Sequence, residues 1–93
     1  MISGLRGRVN RLGASRIHLE AGGIEYEGHV PLVTFEALQR HGFKEDVFLH
    51  VAHIFAQDGQ RLYGFLEEQQ RETFFGLIDI QGVGSGLALS LLS

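Results

Sequence analysis

From Arg16 to Val30 the chain alternates: Ile17, Leu19 and Ala21 against Arg16, His18 and Glu20, then Ile24, Tyr26 and Val30 against Glu25, Glu27 and His29. A period of two predicts two half-buried strands, and Gly22-Gly23 between them suits a two-residue turn at positive φ. That turn pairs Ala21 with Ile24, Leu19 with Tyr26 and Arg16 with His29. It also sets Glu20 opposite Glu25, a like-charge pair that needs cations from a neighbouring strand. Arg6 and Arg8 are the candidates, so Met1 to Val9 is expected to lie alongside.

Further on, Leu32, Phe35, Ala37 and Leu38 recur at helical spacing, with Pro31 fit for the first turn and Gly42 for the stop. Val47 to Ala56 is almost continuously apolar, which predicts a strand buried on much of both faces. Val47, Leu49, Val51 and Phe55 share one of those faces. Gln57-Asp58-Gly59-Gln60 reads as a turn, and Arg61 to Phe65 as the returning strand. Five or six short strands with one helix between the third and fourth match a small, mainly β barrel of the oligonucleotide-binding (OB-fold) type. Its expected core is Ile17, Leu19, Ile24, Tyr26, Val51, Leu62 and Phe65, with Glu20 and Glu27 in solvent.

After Phe65 the period changes. Glu67 to Ile80 puts Phe74, Phe75, Leu77 and Ile78 on one helical stripe behind an acidic start. Gly82-Val83-Gly84-Ser85-Gly86 then leads into a second helical pattern, Leu87 to Ser93, that ends without a cap or breaker. Two units are expected: a barrel over residues 1–65 and the beginning of a helical unit over 66–93.

Composition narrows the function. At 93 residues the chain fits one small domain. The absence of cysteine excludes disulfides, thiol nucleophiles and Cys-based metal sites. A charged N-terminus and the lack of a long apolar run argue against a signal peptide or membrane span, so a cytoplasmic protein is expected. A net charge of −3 offers no global attraction for nucleic acid, so any such binding must use local groups.

Candidate chemistry is sparse. There is no P-loop, HExxH or GxSxG, and no enzymatic constellation. His50 and His53 form an H-x-x-H, but on a strand that spacing points the two rings to opposite faces, so no metal or other cofactor is expected. His18 and His29 fall on the polar face of the hairpin, among surface charges. Gly82-Val83-Gly84 has two readings. It can permit close packing of two helices at a turn, or its N–H groups, with the start of the next helix, can cradle a phosphate without a basic side chain.

Met1-Ile2, Leu5-Arg6-Gly7, Glu20-Ala21-Gly22-Gly23-Ile24-Glu25-Tyr26-Glu27, Leu62-Tyr63-Gly64-Phe65 and Gly82-Val83-Gly84 before Leu87-Ala88-Leu89 together resemble the RuvA family of bacterial Holliday junction proteins. The resemblance runs the whole chain and covers that family's N-terminal barrel and the start of its helix-hairpin-helix domain. It implies a non-catalytic subunit that forms a homotetramer and holds a four-way junction DNA open on one face. It also implies a partner, the RuvB motor ATPase, recruited through a C-terminal domain absent from this chain. It assigns DNA-phosphate binding to Gly82, Val83, Gly84, Ser85 and Gly86, although the family commonly carries proline and lysine where Ser85 and Gly86 stand. It further implies an acidic pin near the junction's centre, formed by two acidic residues where this chain has Gln57 and Asp58; only Asp58 keeps the charge. The rival expectation is an oligomerising barrel that binds protein or single-stranded nucleic acid without junction specificity. Such a barrel would show exposed aromatics for base stacking, whereas the wet face of the hairpin carries Arg, His and Glu.

Overall fold

A computed structural model describes residues 1–42 and 46–92. Ser93, the last position of the second helical pattern, lies outside them. Five strands, β1 (Gly4–Leu12), β2 (Arg16–Ala21), β3 (Ile24–His29), β4 (Val47–Ala56) and β5 (Gly59–Phe65), close in the order β1-β2-β3-β5-β4. Helix α1 (Leu32–His41) bridges β3 and β4, while α2 (Glu68–Ile78) and α3 (Ser85–Leu91) follow the barrel. This is the expected OB-fold-like architecture.

The β2–β3 hairpin has the predicted register, from Arg16 opposite His29 to Ala21 opposite Ile24. Gly22 and Gly23 take φ of 61° and 83°, the positive values that a two-residue turn of matching twist requires. Glu20 does face Glu25, but Asn10 is the main mediator: its Nδ2 donates to Glu20 at 3.2 Å and to Glu25 at 2.8 Å. Asn10 lies where the β1–β2 register slips between Val9 and Arg11, an extra residue that also bends the strand for barrel closure. Arg8 reaches Glu20 at 3.5 Å as expected. Arg6 does not, since it lies over the Phe48 ring and pairs with Asp46.

Val9, Ile17, Leu19, Val47, Leu49 and Val51 fill the barrel, and Val30, together with Leu38 of α1, joins the same core. The close winding of β1 on β2 is visible at Gly7, where a Cβ would lie 1.9 Å from the carbonyl oxygen of Glu20. Ile24, an expected core residue, and Phe55, expected on the same face of its strand as Val47, Leu49 and Val51, are exposed for one reason. Ile24 is 56% exposed because it sits beside the hairpin turn, beyond the barrel wall. Phe55 is 59% exposed because β4 outruns its neighbour: β1 pairs with β4 only from Val47 to His50. Tyr26 and Leu62 are half-buried, and so is Glu20.

A second core lies outside the barrel wall. Ala52, Tyr63 and Phe65, which point away from the barrel lumen or lie at its end, pack with Phe74 of α2 and Ala88 of α3. The α2 start is held by Glu67 and Gln70, each side chain bonded to the other's backbone, so the helix begins one residue later than the acidic run. Its end at Ile78 precedes the expected Ile80, and β5 begins at Gly59, two residues ahead of the expected Arg61.

Candidate nucleic-acid interface

The turn between α2 and α3 is built by one strained backbone position. Gly82 takes φ 89°, in the left-handed region that side chains avoid, and the Val83 N–H returns to the carbonyl of Ile80 at 3.0 Å. Gly84, by contrast, has φ −84° and caps α3 in an extended conformation. Of the glycines in this turn Gly82 is therefore the constrained one, and a Cβ on Gly84 or Gly86 would meet nothing within 4 Å.

This turn is docked to the barrel. The Tyr63 hydroxyl donates to Ser85 Oγ at 2.7 Å, and the Tyr63 ring packs on Phe74 at 4.8 Å and on His29 at 5.5 Å between centroids. Helix α3 begins against the barrel wall as a result. Between them opens a cleft of about 530 Å3, lined by His29, Arg61, Tyr63, Gly84, Ser85, Gly86 and Leu89. The backbone of Gly84 to Gly86 thus shares one surface with a guanidinium and an imidazole. Sequence reasoning missed Arg61 and His29, because strand β5 is remote from Gly84 along the chain. The signal was available in strand parity: Tyr63 and Arg61 alternate onto the same face of β5, and His29 pairs with Tyr63 across the β3–β5 seam.

Gln57 and Asp58 form the two-residue tip of the β4–β5 hairpin, flanked by the Ala56–Gly59 pair, and both are exposed. Asp58 is not an isolated charge. Arg61 donates to its Oδ2 at 2.6 Å, and this hydrogen bond, reinforced by the positive charge, holds the carboxyl below the ordinary aspartate range. The same contact raises Arg61. Arg61 therefore links the hairpin tip to the cleft.

The histidines are dispersed. His53 Nδ1 accepts from the backbone N–H of Ile2 at 3.1 Å and its Nε2 meets Gln60 Oε1 at 2.7 Å, while His50 sits edge-on to Phe48. His18 lies 3.0 Å from Glu27, on the charged face expected for it. His29 is instead stacked on Tyr63 at the cleft. Among the described residues no three His, Asp or Glu side chains gather as metal ligands, and no helix is long and apolar enough to cross a membrane.

Residues 1–64 match the family described as the RuvA N terminal domain. Over all 93 residues the chain is 42% identical to a Cronobacter sakazakii protein, covering 45% of its length, and 42% identical to a Stutzerimonas stutzeri protein, also covering 45%. It is 41% identical to a Chloroflexus aggregans protein, covering 47%. Each of the three is named Holliday junction branch migration complex subunit RuvA. The chain spans a little under half the length of these relatives.

Proposed function

This chain belongs to the RuvA N-terminal domain family, and on that premise we propose that it is the junction-binding part of a branch-migration subunit in DNA recombination and repair. The observation that carries the reading is the likeness over the whole chain to proteins named for that role. The cleft supports it physically. An acidic chain can still bind DNA where backbone and polar groups stand beside a cation on one surface, and Gly84, Ser85, Gly86 and His29 line one cleft here with the Arg61 guanidinium. In this reading residues 1–65 form the barrel that presents the junction face, and residues 66–93 begin the helix-hairpin-helix unit. Gly82 and Val83 shape the turn, and Gly84 to Gly86 approach the phosphate backbone. Gln57 and Asp58 lie at the junction's centre.

The protein acts without chemistry of its own. Four copies arranged as a homotetramer offer each arm of a four-way junction an equivalent contact, and the work of branch migration falls to the RuvB motor ATPase as partner. Titrating a labelled four-way junction and a duplex of the same sequence, at several salt concentrations, tests the reading. Preference for the junction is expected. Equal affinity for both, or preference for single strands, would favour the rival OB-fold module without junction specificity.

A further inference from the structure

The β4–β5 hairpin leaves the barrel as an arm. Its last links to the segment that leads into β1 are the Val51 N–H donating to the Ser3 carbonyl and the Ile2 N–H donating to His53. Beyond them, Ile54, Phe55 and Ala56 pair only with Arg61, Gln60 and Gly59 of the same hairpin. Phe55 keeps the parity of the lumen-facing residues Val47, Leu49 and Val51, but at the arm there is no lumen, so its ring is carried into solvent. It is stacked on His53, with ring centroids 4.4 Å apart and planes 26° from parallel. The tip beside it has little net charge, because Asp58 is bound to Arg61.

We propose that Phe55 is a nucleobase-stacking residue, which takes a base at the strand-exchange point of the junction onto its exposed ring. The inference rests on the proposed junction-binding role and adds a contact to it. Size favours a base over a protein partner. Phe55 offers about 100–150 Å2 of exposed surface, whereas a stable protein interface takes about 800 Å2 from each side. A single base covers one aromatic ring, and stacking needs no sequence match. The Asp58–Arg61 pair removes the repulsion that two bare carboxylates would direct at an approaching strand.

The chain has no tryptophan, so Phe55→Trp creates a single-tryptophan reporter at the tip. Junction affinity is measured alongside its fluorescence, and circular dichroism checks the fold. Saturating four-way junction is expected to quench the tryptophan strongly, while a duplex of the same sequence leaves it bright. Phe55→Ala and Phe55→Leu should both weaken junction binding, by roughly tenfold, because neither retains a π-face. Unchanged emission with intact junction binding would overturn the stacking role and leave the junction reading standing. Full affinity in Phe55→Leu with loss in Phe55→Ala would also overturn it, by showing an apolar protein or backbone contact. Absence of junction binding in the unsubstituted protein would defeat the junction reading and this inference together.

Discussion

Phe74 is the residue on which the placement of the helical pair depends, and Phe74→Ala isolates its role. The ring is fully buried and touches Tyr63, Phe65 and Phe75, with centroids 4.8, 5.3 and 6.3 Å away. Truncating a buried Phe costs about 3–5 kcal/mol, from lost apolar burial and the cavity left behind. Aromatic contacts with Tyr63 and Phe65 place this site toward the upper end. A 93-residue domain has roughly 5–14 kcal/mol in all, so the loss is large but need not unfold the barrel, whose own core is built from other residues. The expected result is a fall in melting temperature of at least about 15 °C for the helical signal. Helix α3 then loses its seat, Ser85 parts from Tyr63, and junction affinity falls while the β signal persists. Thermal circular dichroism with wavelength-resolved analysis and a junction titration below the transition are the assays. A loss of less than about 1 kcal/mol would refute the claim that Phe74 anchors the helices.

Gly7→Ala should prevent correct closure of β1 on β2, since its Cβ would strike backbone at 1.9 Å, and the variant is expected in the insoluble fraction or as an unfolded chain by circular dichroism. Gly86→Ala, with open space around the Cβ inside α3, should raise stability by up to about 1 kcal/mol in urea titration. Tyr63→Phe removes the bond to Ser85 and should cost about 0.5–1.5 kcal/mol by denaturant titration while weakening junction binding. Asp58 should titrate below the ordinary aspartate value by carboxyl NMR, and Arg61→Gln should return it upward. Because the folded pKa is the lowered one, the pair's contribution is present above the ordinary value and fades as pH falls through the lowered one. Gly86→Lys should strengthen junction binding and steepen log K against log salt by about 0.9 per phosphate contacted.

Much of the fold was legible because local rules and tertiary demands agree over most of the barrel. The Gly22-Gly23 turn set the hairpin register from six residues, and Pro31 and Gly42 bracketed α1. The misreadings share a cause: periodicity reports which face a residue occupies and not whether anything covers that face. Ile24 and Phe55 have core parity but stand past the ends of their neighbours. In the candidate site, the Gly82 to Gly86 turn was visible as a glycine pattern, yet the identity of the constrained glycine was not, because either Gly82 or Gly84 could carry the positive φ. Strand parity puts Arg61 on the face of Tyr63, but parity alone does not make Arg61 and His29 site residues, since the cleft exists only once Phe74 seats the helices on β5.

The position of Arg61 also changes how the altered pin and the altered hairpin relate to one another. Considered separately, each departs from the family resemblance by losing charge: Gln57 stands for an acid and Gly86 for a lysine. In space they meet at one side chain, because Arg61 bonds Asp58 at the tip while lining the cleft beside Gly86. At the proposed phosphate-binding surface a cation thus comes from β5 instead of from α3, and the acid that remains at the tip is the one that holds it. The two losses are coupled through that guanidinium. A lone Asp58 without Arg61 would repel DNA at the tip while leaving the cleft without a guanidinium. The pair instead gives a tip of low charge beside an exposed aromatic, and a cleft whose lining sets the backbone of Gly84 to Gly86 beside one guanidinium, the arrangement that the proposed junction contact requires.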